Sequence, residues 1–172
     1  MTLEPNAPPP WDLTGSGYIF LYRLPHEMAA QYVPFGVYKG GLAALMLVDY
    51  ATTNVGPYKE ALFIPGVVEY PQARGYSIGK IYVTTMTSVI NGIHNWAIPK
   101  ELASITFDMV DPHTERITVR EGDKPACLEM VVNAGGWRFP ITGAIMPIAV
   151  KHRDSQSYVT RISAKGRAQF AK

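Results

Sequence analysis

Glycine and proline interrupt this chain so often that most of it is left as short segments: 15 glycines and 14 prolines punctuate 172 residues. The runs between them are rich in β-branched and aromatic side chains, which pack well on a pleated surface and lose rotamer freedom in a helix. YIFLYRL (18–24), LAALMLVDYA (42–51), KEALFIPGVVEY (59–70), KIYVTTMTSV (80–89) and LASITFDMV (102–110) each predict a strand. RITVRE (116–121), ACLEMVVNA (126–134), FPITGAIMPIAV (139–150) and SYVTRISA (157–164) predict four more. PHEMAAQYV (25–33) predicts a short helix with Pro25 near its start. Hairpin-length links leave little room for crossover helices. The expected fold is therefore mainly β, an antiparallel β-barrel or strongly curved sheet with one or two short helices. The proline-rich residues 1–10 predict a flexible, solvated arm, and residues 11–172 a single domain large enough for its own core.

Composition removes several function classes. The formal charge is +2, and the mildly basic end, KHRDSQSYVTRISAKGRAQFAK, lacks the clustered Lys/Arg stripe of a nucleic-acid binder. No apolar run is long enough to span a bilayer, and a single cysteine, Cys127, permits no intrachain disulfide. A soluble, cytoplasmic protein is expected. GSGYIF and VYKGGLA lack the spacing of a phosphate or dinucleotide loop, so no cofactor is expected. His26, His94, His113 and His152 stand far apart without a second ligand at metal spacing, so no metal site is expected either. Cys127, in a strand-like run, reads as a buried, inert thiol.

What remains is NWAIPKELASITF, Asn95 to Phe107, where Lys100 follows Pro99 among Trp96, Ala97, Ile98, Leu102 and Ile105. Such a lysine either snorkels its stem out to water or holds its amine in an apolar site. The second arrangement has chemical use, because a lysine amine attacks a carbonyl only when neutral and burial favours the neutral form. Trp96 and Ile98 offer apolar walls, Pro99 constrains the approach, and in an extended segment Glu101 points to the face opposite Lys100.

The segment SVINGIHNWAIPKELASITF resembles the signature of the acetoacetate decarboxylase-like superfamily, in the Asn-Trp-x-Ile-Pro-Lys-Glu-Leu-Ala version of its shorter bacterial and fungal members. Upstream, VGPYKEALFIPGVV is similar to that family's Tyr-x-Glu strand, here Tyr58 and Glu60. The resemblance implies that Lys100 forms a Schiff base and that Glu60 shares its pocket. It also implies an oligomer, an expectation supported by the apolar runs LAALMLV and ITGAIMPIAV. Several positions depart from the family pattern: Glu101 stands where the decarboxylases have a second lysine, Ile93 where they have an arginine, and Ala44, Leu45 and Met46 where they place a further acidic residue. No counterpart of an N-terminal arginine is found around Ser16.

The activity this resemblance implies is that of a lyase acting on a β-keto acid or related carbonyl compound, by decarboxylation or by aldol addition and dehydration. Lys100 is the expected nucleophile and Glu60 the proton carrier; each has a plainer alternative, a snorkelling edge lysine for the first and, for the second, an ion pair with Lys59 or a solvated strand face. Tyr58 and Asn95 are candidate donors to a substrate oxygen or turn residues bonding backbone, Trp96 a wall, and His94 a second proton carrier or a loop histidine. The departures point to a substrate with a largely apolar body. Two other classes stay open: a non-covalent isomerase or cyclase using the same pocket, and a barrel that binds a small molecule without chemistry.

Overall fold

Alternation in YKEALFI builds the centre of the molecule. In the computed structural model, which describes residues 6–33, 35–143, 149–153, 156–160 and 163–172, this segment is strand β4 (Tyr58–Ile64). The strands before it are β1 (Thr14–Tyr22), β2 (Val37–Gly40) and β3 (Ala43–Thr52), with helix α1 (His26–Ala30) between the first two. After β4 come β5 (Gly66–Glu69), β6 (Arg74–Ser77), β7 (Lys80–Val83), helix α2 (Met86–Trp96), β8 (Glu101–Leu102), β9 (Ser104–Asp111), β10 (Thr114–Arg120) and β11 (Leu128–Asn133). The chain ends with β12 (Phe139–Gly143), β13 (Ala149–Arg153), β14 (Gln156–Thr160) and β15 (Ala164–Ala168).

The described strands form four sheets, ordered β1-β3-β4-β7-β8, β11-β10-β9, β12-β15 and β14-β13-β6-β5-β2. The mainly β expectation holds, with two helices. Each sheet has two edge strands, so the pairings do not close a barrel. In the first sheet β4 is buried on both faces, as a central strand between two packed layers must be. Tyr58, Leu62 and Ile64 belong to a cluster with Ala44, Ile78, Ile81 and Val83 on one side. On the other, Ala61 and Leu47 join Ala103, Ile105, Ile117, Val119 and Val132 of the three-stranded sheet.

Several sequence expectations are corrected. The strand foreseen over 80–89 ends at Val83, and α2 follows: the Thr85 side chain accepts the Ser88 N–H and so caps the helix. The strand foreseen over 59–70 breaks at Pro65–Gly66. Gly66 takes φ +146°, and a Cβ there would lie 2.6 Å from the Gly40 carbonyl oxygen, a contact only glycine permits. VYKG and RGYS, strands β2 and β6, carried no strand signal. The sheets are not purely antiparallel: β7 pairs parallel with β8 through the α2 crossover, and β6 pairs parallel with β13. Cys127 is exposed rather than buried, in the link to β11, with its thiol on the Val119 carbonyl. Of the strands foreseen over 139–150 and 157–164, residues 144–148, 161 and 162 lie outside the described residues.

Candidate active site

The parallel crossover places Lys100. Helix α2 ends where Ala97 adopts a left-handed conformation, φ +52°, and the Ala97 and Ile98 N–H groups both return to the Gly92 carbonyl. This closure reverses the chain, and Pro99 carries it extended into β8, so that Lys100 lies back along the helix it has just left. Its stem passes over Gly92 so closely that a Cβ at that position would stand 2.5 Å from Lys100 Cδ and 2.9 Å from Cε. Glycine is required here for close approach, not for its backbone freedom.

The amine reaches the β4 face that carries Tyr58 and Glu60. Two residues apart on one strand, these side chains share a face, with Val48 of β3 and Val83 of β7 opposite Glu60 in the ladder. Lys100 Nζ donates to Glu60 Oε2 at 3.0 Å, to Tyr58 Oη at 3.1 Å and to Ser88 Oγ at 3.0 Å. Lys100 is 5% exposed and Glu60 6%. Three hydrogens of an ammonium therefore meet three acceptors away from bulk water, the condition under which a buried charge is tolerated. Glu101 does point the other way, where it forms an ion pair with Lys80 at 2.7 Å; Lys59 pairs with Asp49 at 2.6 Å. Neither competes for the buried pair.

Aromatic rings complete the enclosure. The Trp11 ring centre lies 5.5 Å from Lys100 Nζ and that of Tyr58 4.8 Å, distances at which a cation is attracted to a ring. Trp11 also packs edge-on against Trp96 at 5.8 Å. Tyr50 packs on Tyr58 at 5.1 Å. Burial, and secondarily the Glu60 carboxylate, push both tyrosine hydroxyls far above the ordinary range, so Tyr58 remains an O–H donor at working pH.

The N-terminal segment lies over this site. Residues 1–5 are outside the described residues; Asn6 and Pro8 to Pro10 are exposed, while Ala7 is buried. The Ala7 N–H donates to Asn91 Oδ1 at 2.8 Å, and Asn95 Nδ2 donates to Asn6 Oδ1, the Ala7 carbonyl and Asn91 Oδ1. Trp11 Nε1 donates to the Ala7 carbonyl at 2.7 Å, which ties its ring to the same segment.

The structure thus brings Lys100, Glu60 and Tyr58 together. Asn95 holds the N-terminal segment, Trp96 supports Trp11, and His94 is exposed on α2. Trp96 Nε1 is buried without a hydrogen-bond partner among the described residues. Ile93 is exposed on the outer side of α2, and Met46 packs beside Leu62 in the cluster below the site. Sequence reasoning missed Ser88, Asn91, Gly92 and Trp11. Its available signal was a small and polar stripe, Ser88, Asn91, Gly92 and Asn95, at helical spacing i, i+3, i+4, i+7. Among the described residues no group of three His, Cys, Asp or Glu side chains could hold a metal ion, and no helix is long and apolar enough to cross a membrane.

A family model described as acetoacetate decarboxylase matches residues 2–142. No curated protein matches the chain. Among solved structures, an acetoacetate decarboxylase from Legionella pneumophila is 12% identical with a TM-score of 0.61, over 96% of this chain and 68% of that one. An acetoacetate decarboxylase-like enzyme from Sphingomonas wittichii RW1 is 14% identical with a TM-score of 0.60, over 94% and 78%. The enduracididine biosynthesis enzyme MppR, complexed with the condensation product of pyruvate and imidazole 4-carboxaldehyde, is 12% identical with a TM-score of 0.59, over 91% and 70%. At these identities the likeness is one of fold.

Proposed function

Because the chain belongs to the acetoacetate decarboxylase family, we propose that it is a Schiff-base lyase in which Lys100 condenses with a β-keto acid or related carbonyl compound. The observation that carries this reading is the buried Lys100 amine held at 3.0 Å from Glu60. A proton passing from Nζ to Oε2 turns the ammonium–carboxylate pair into amine and carboxylic acid without leaving the site. The amine then adds to the carbonyl carbon, water departs, and an iminium remains. Loss of carbon dioxide from a β-keto acid leaves its bonding pair in that iminium as an enamine. Glu60 returns the proton to carbon, and water hydrolyses the product imine to free Lys100. Tyr58, fixed as a donor, is placed to hold the substrate oxygen as it leaves. The same iminium supports aldol addition and dehydration, and MppR carries a condensation product of a keto acid and an aldehyde.

Support for a largely apolar substrate comes from Val48, Val83, Trp11 and Trp96 around the pair. A homo-oligomer is part of the proposal, supported by Met86, Ile90 and Ile93, which are exposed in one row on α2.

One observation favours a second reading. The three hydrogens of the ammonium are all matched, an arrangement suited to a lysine that stays charged and acts electrostatically while Glu60 moves protons. Oxygen exchange separates the two. Imine formation expels the carbonyl oxygen, so a ketone labelled with oxygen-18 loses its label to water through Lys100. Label loss that vanishes in Lys100→Ala supports the lyase; proton exchange beside the carbonyl with full retention of label supports the non-covalent reading.

A further inference from the structure

At 5% exposure the Lys100 amine is out of reach of any substrate unless one wall of its site moves. The walls differ in how they are held. Tyr58 and Glu60 sit on β4, laddered to β3 and β7 on both sides. Ser88 and Gly92 belong to α2, capped at one end by Thr85 and at the other by Ala97. The remaining wall is Asn6–Trp11, which joins no sheet ladder and is fastened to α2 through the side chains of Asn91 and Asn95. Its prolines at 8, 9 and 10 are exposed, so little apolar surface holds that stretch down. Its inward part is the Trp11 indole, which packs edge-on against Trp96 and lies 5.5 Å from the amine.

We infer that Asn6–Trp11 is the movable wall of this site and that Trp11 determines its specificity: a carbonyl compound reaches Lys100 by taking the place of the indole, so the site selects a carbonyl group carried on a flat, apolar body. The space released has the width of one aromatic ring system and meets Trp96 edge-on, which suits an aromatic or conjugated aldehyde or ketone. Asn95 is the latch, because the two hydrogens of its amide group are shared between Asn6 Oδ1 and the Ala7 carbonyl of the segment and Asn91 Oδ1 of the helix.

The inference rests on the reading of Lys100 as the amine that meets a carbonyl, yet its test needs no natural substrate. The intact chain is treated with cyanoborohydride and either formaldehyde or benzaldehyde, and reductive alkylation is mapped at Lys100 against Lys124, whose side chain is 70% exposed. Opening of the segment serves both reagents, so Lys100 is protected from both to a similar degree. Asn95→Ala and Trp11→Ala each raise the Lys100 rate about tenfold with either aldehyde, the effect of losing one such fastening. Asn95→Ala leaves every ring in place and carries the test should Trp11→Ala fail to fold. Unchanged Lys100 rates in Asn95→Ala, or access for formaldehyde with none for benzaldehyde in any form, overturn the inference. Alkylation that follows the latch while no ketone exchanges its oxygen leaves the movable wall standing and removes the Schiff-base reading instead.

Discussion

Replacing Gly92 by alanine puts one methyl group into the stem of Lys100. The added carbon would lie 2.5 Å from Cδ, 2.9 Å from Cε and 3.0 Å from Cγ, so the stem must retreat by about 1 Å to restore ordinary van der Waals distances. The amine cannot follow freely, since acceptors 3.0–3.1 Å away hold it on three sides. A shift of that size breaks at least one charge-assisted bond in a buried site, about 1.5–3 kcal/mol, and crowds a packed contact at about 1–3 kcal/mol. Against this, alanine improves an α-helix interior over glycine by about 1 kcal/mol. The net expectation is destabilisation of about 2–4 kcal/mol, read from urea unfolding, with Lys100 reactivity falling about a hundredfold from the misplaced nucleophile. The decisive comparison is the double mutant. In a Lys100→Ala background the obstacle is absent, so Gly92→Ala reverses sign and stabilises by about 0.5–1 kcal/mol. Destabilisation of the same size in both backgrounds would refute the claim that this glycine exists for the lysine.

Three further outcomes follow from the same geometry. Glu60→Gln keeps the shape of the site but cannot carry the proton, and turnover of a keto acid drops about 10²–10⁴-fold in a steady-state assay while the protein stays folded. Tyr50 and Tyr58 hold their protons beyond the pH at which unfolded tyrosines ionise, so their contribution is complete below about pH 10 and is lost as pH rises above it, at about 1.4 kcal/mol per pH unit for each. Alkaline melting curves of Tyr58→Phe then fall less steeply than those of the parent chain, and equal slopes contradict the assignment. Light scattering at micromolar concentration gives a mass above 19.0 kDa, and Ile90→Glu, placed in the exposed row of α2, returns it toward the monomer; a monomeric parent removes the oligomer from the account.

The parts of the site that were legible in the sequence lie on strands. Tyr58 and Glu60 alternate with Lys59 and Ala61, so period two alone puts the first pair on one face, and the proline before Lys100 marks an extended approach. Helix α2 was illegible because its pattern is inverted: Met86, Ile90 and Ile93 face outward while Ser88, Asn91 and Gly92 are buried. A search for an apolar stripe turned toward the core passes over such a helix, and the β-branched run YVTTMTSVI reads as strand. With α2 unseen, the parallel β7–β8 pair was unseen too, since only a crossover can make one. Strands β2 and β6, four residues each and glycine-bearing, owe their place to neighbours rather than to propensity. Trp11 escaped notice because APPP marks a solvated arm, whereas the fastening comes from two asparagines some 80 positions later.

In the proposed chemistry the buried Lys100 amine forms a covalent bond with a carbonyl substrate. Incubating the chain with a β-diketone or keto acid, reducing with borohydride and mapping the added mass by peptide analysis tests it most directly. A single adduct is expected on Lys100 and none in Lys100→Ala, with Lys59, Lys80 and Lys124 unlabelled. An adduct spread over the surface lysines, or turnover that proceeds in Lys100→Ala, contradicts it.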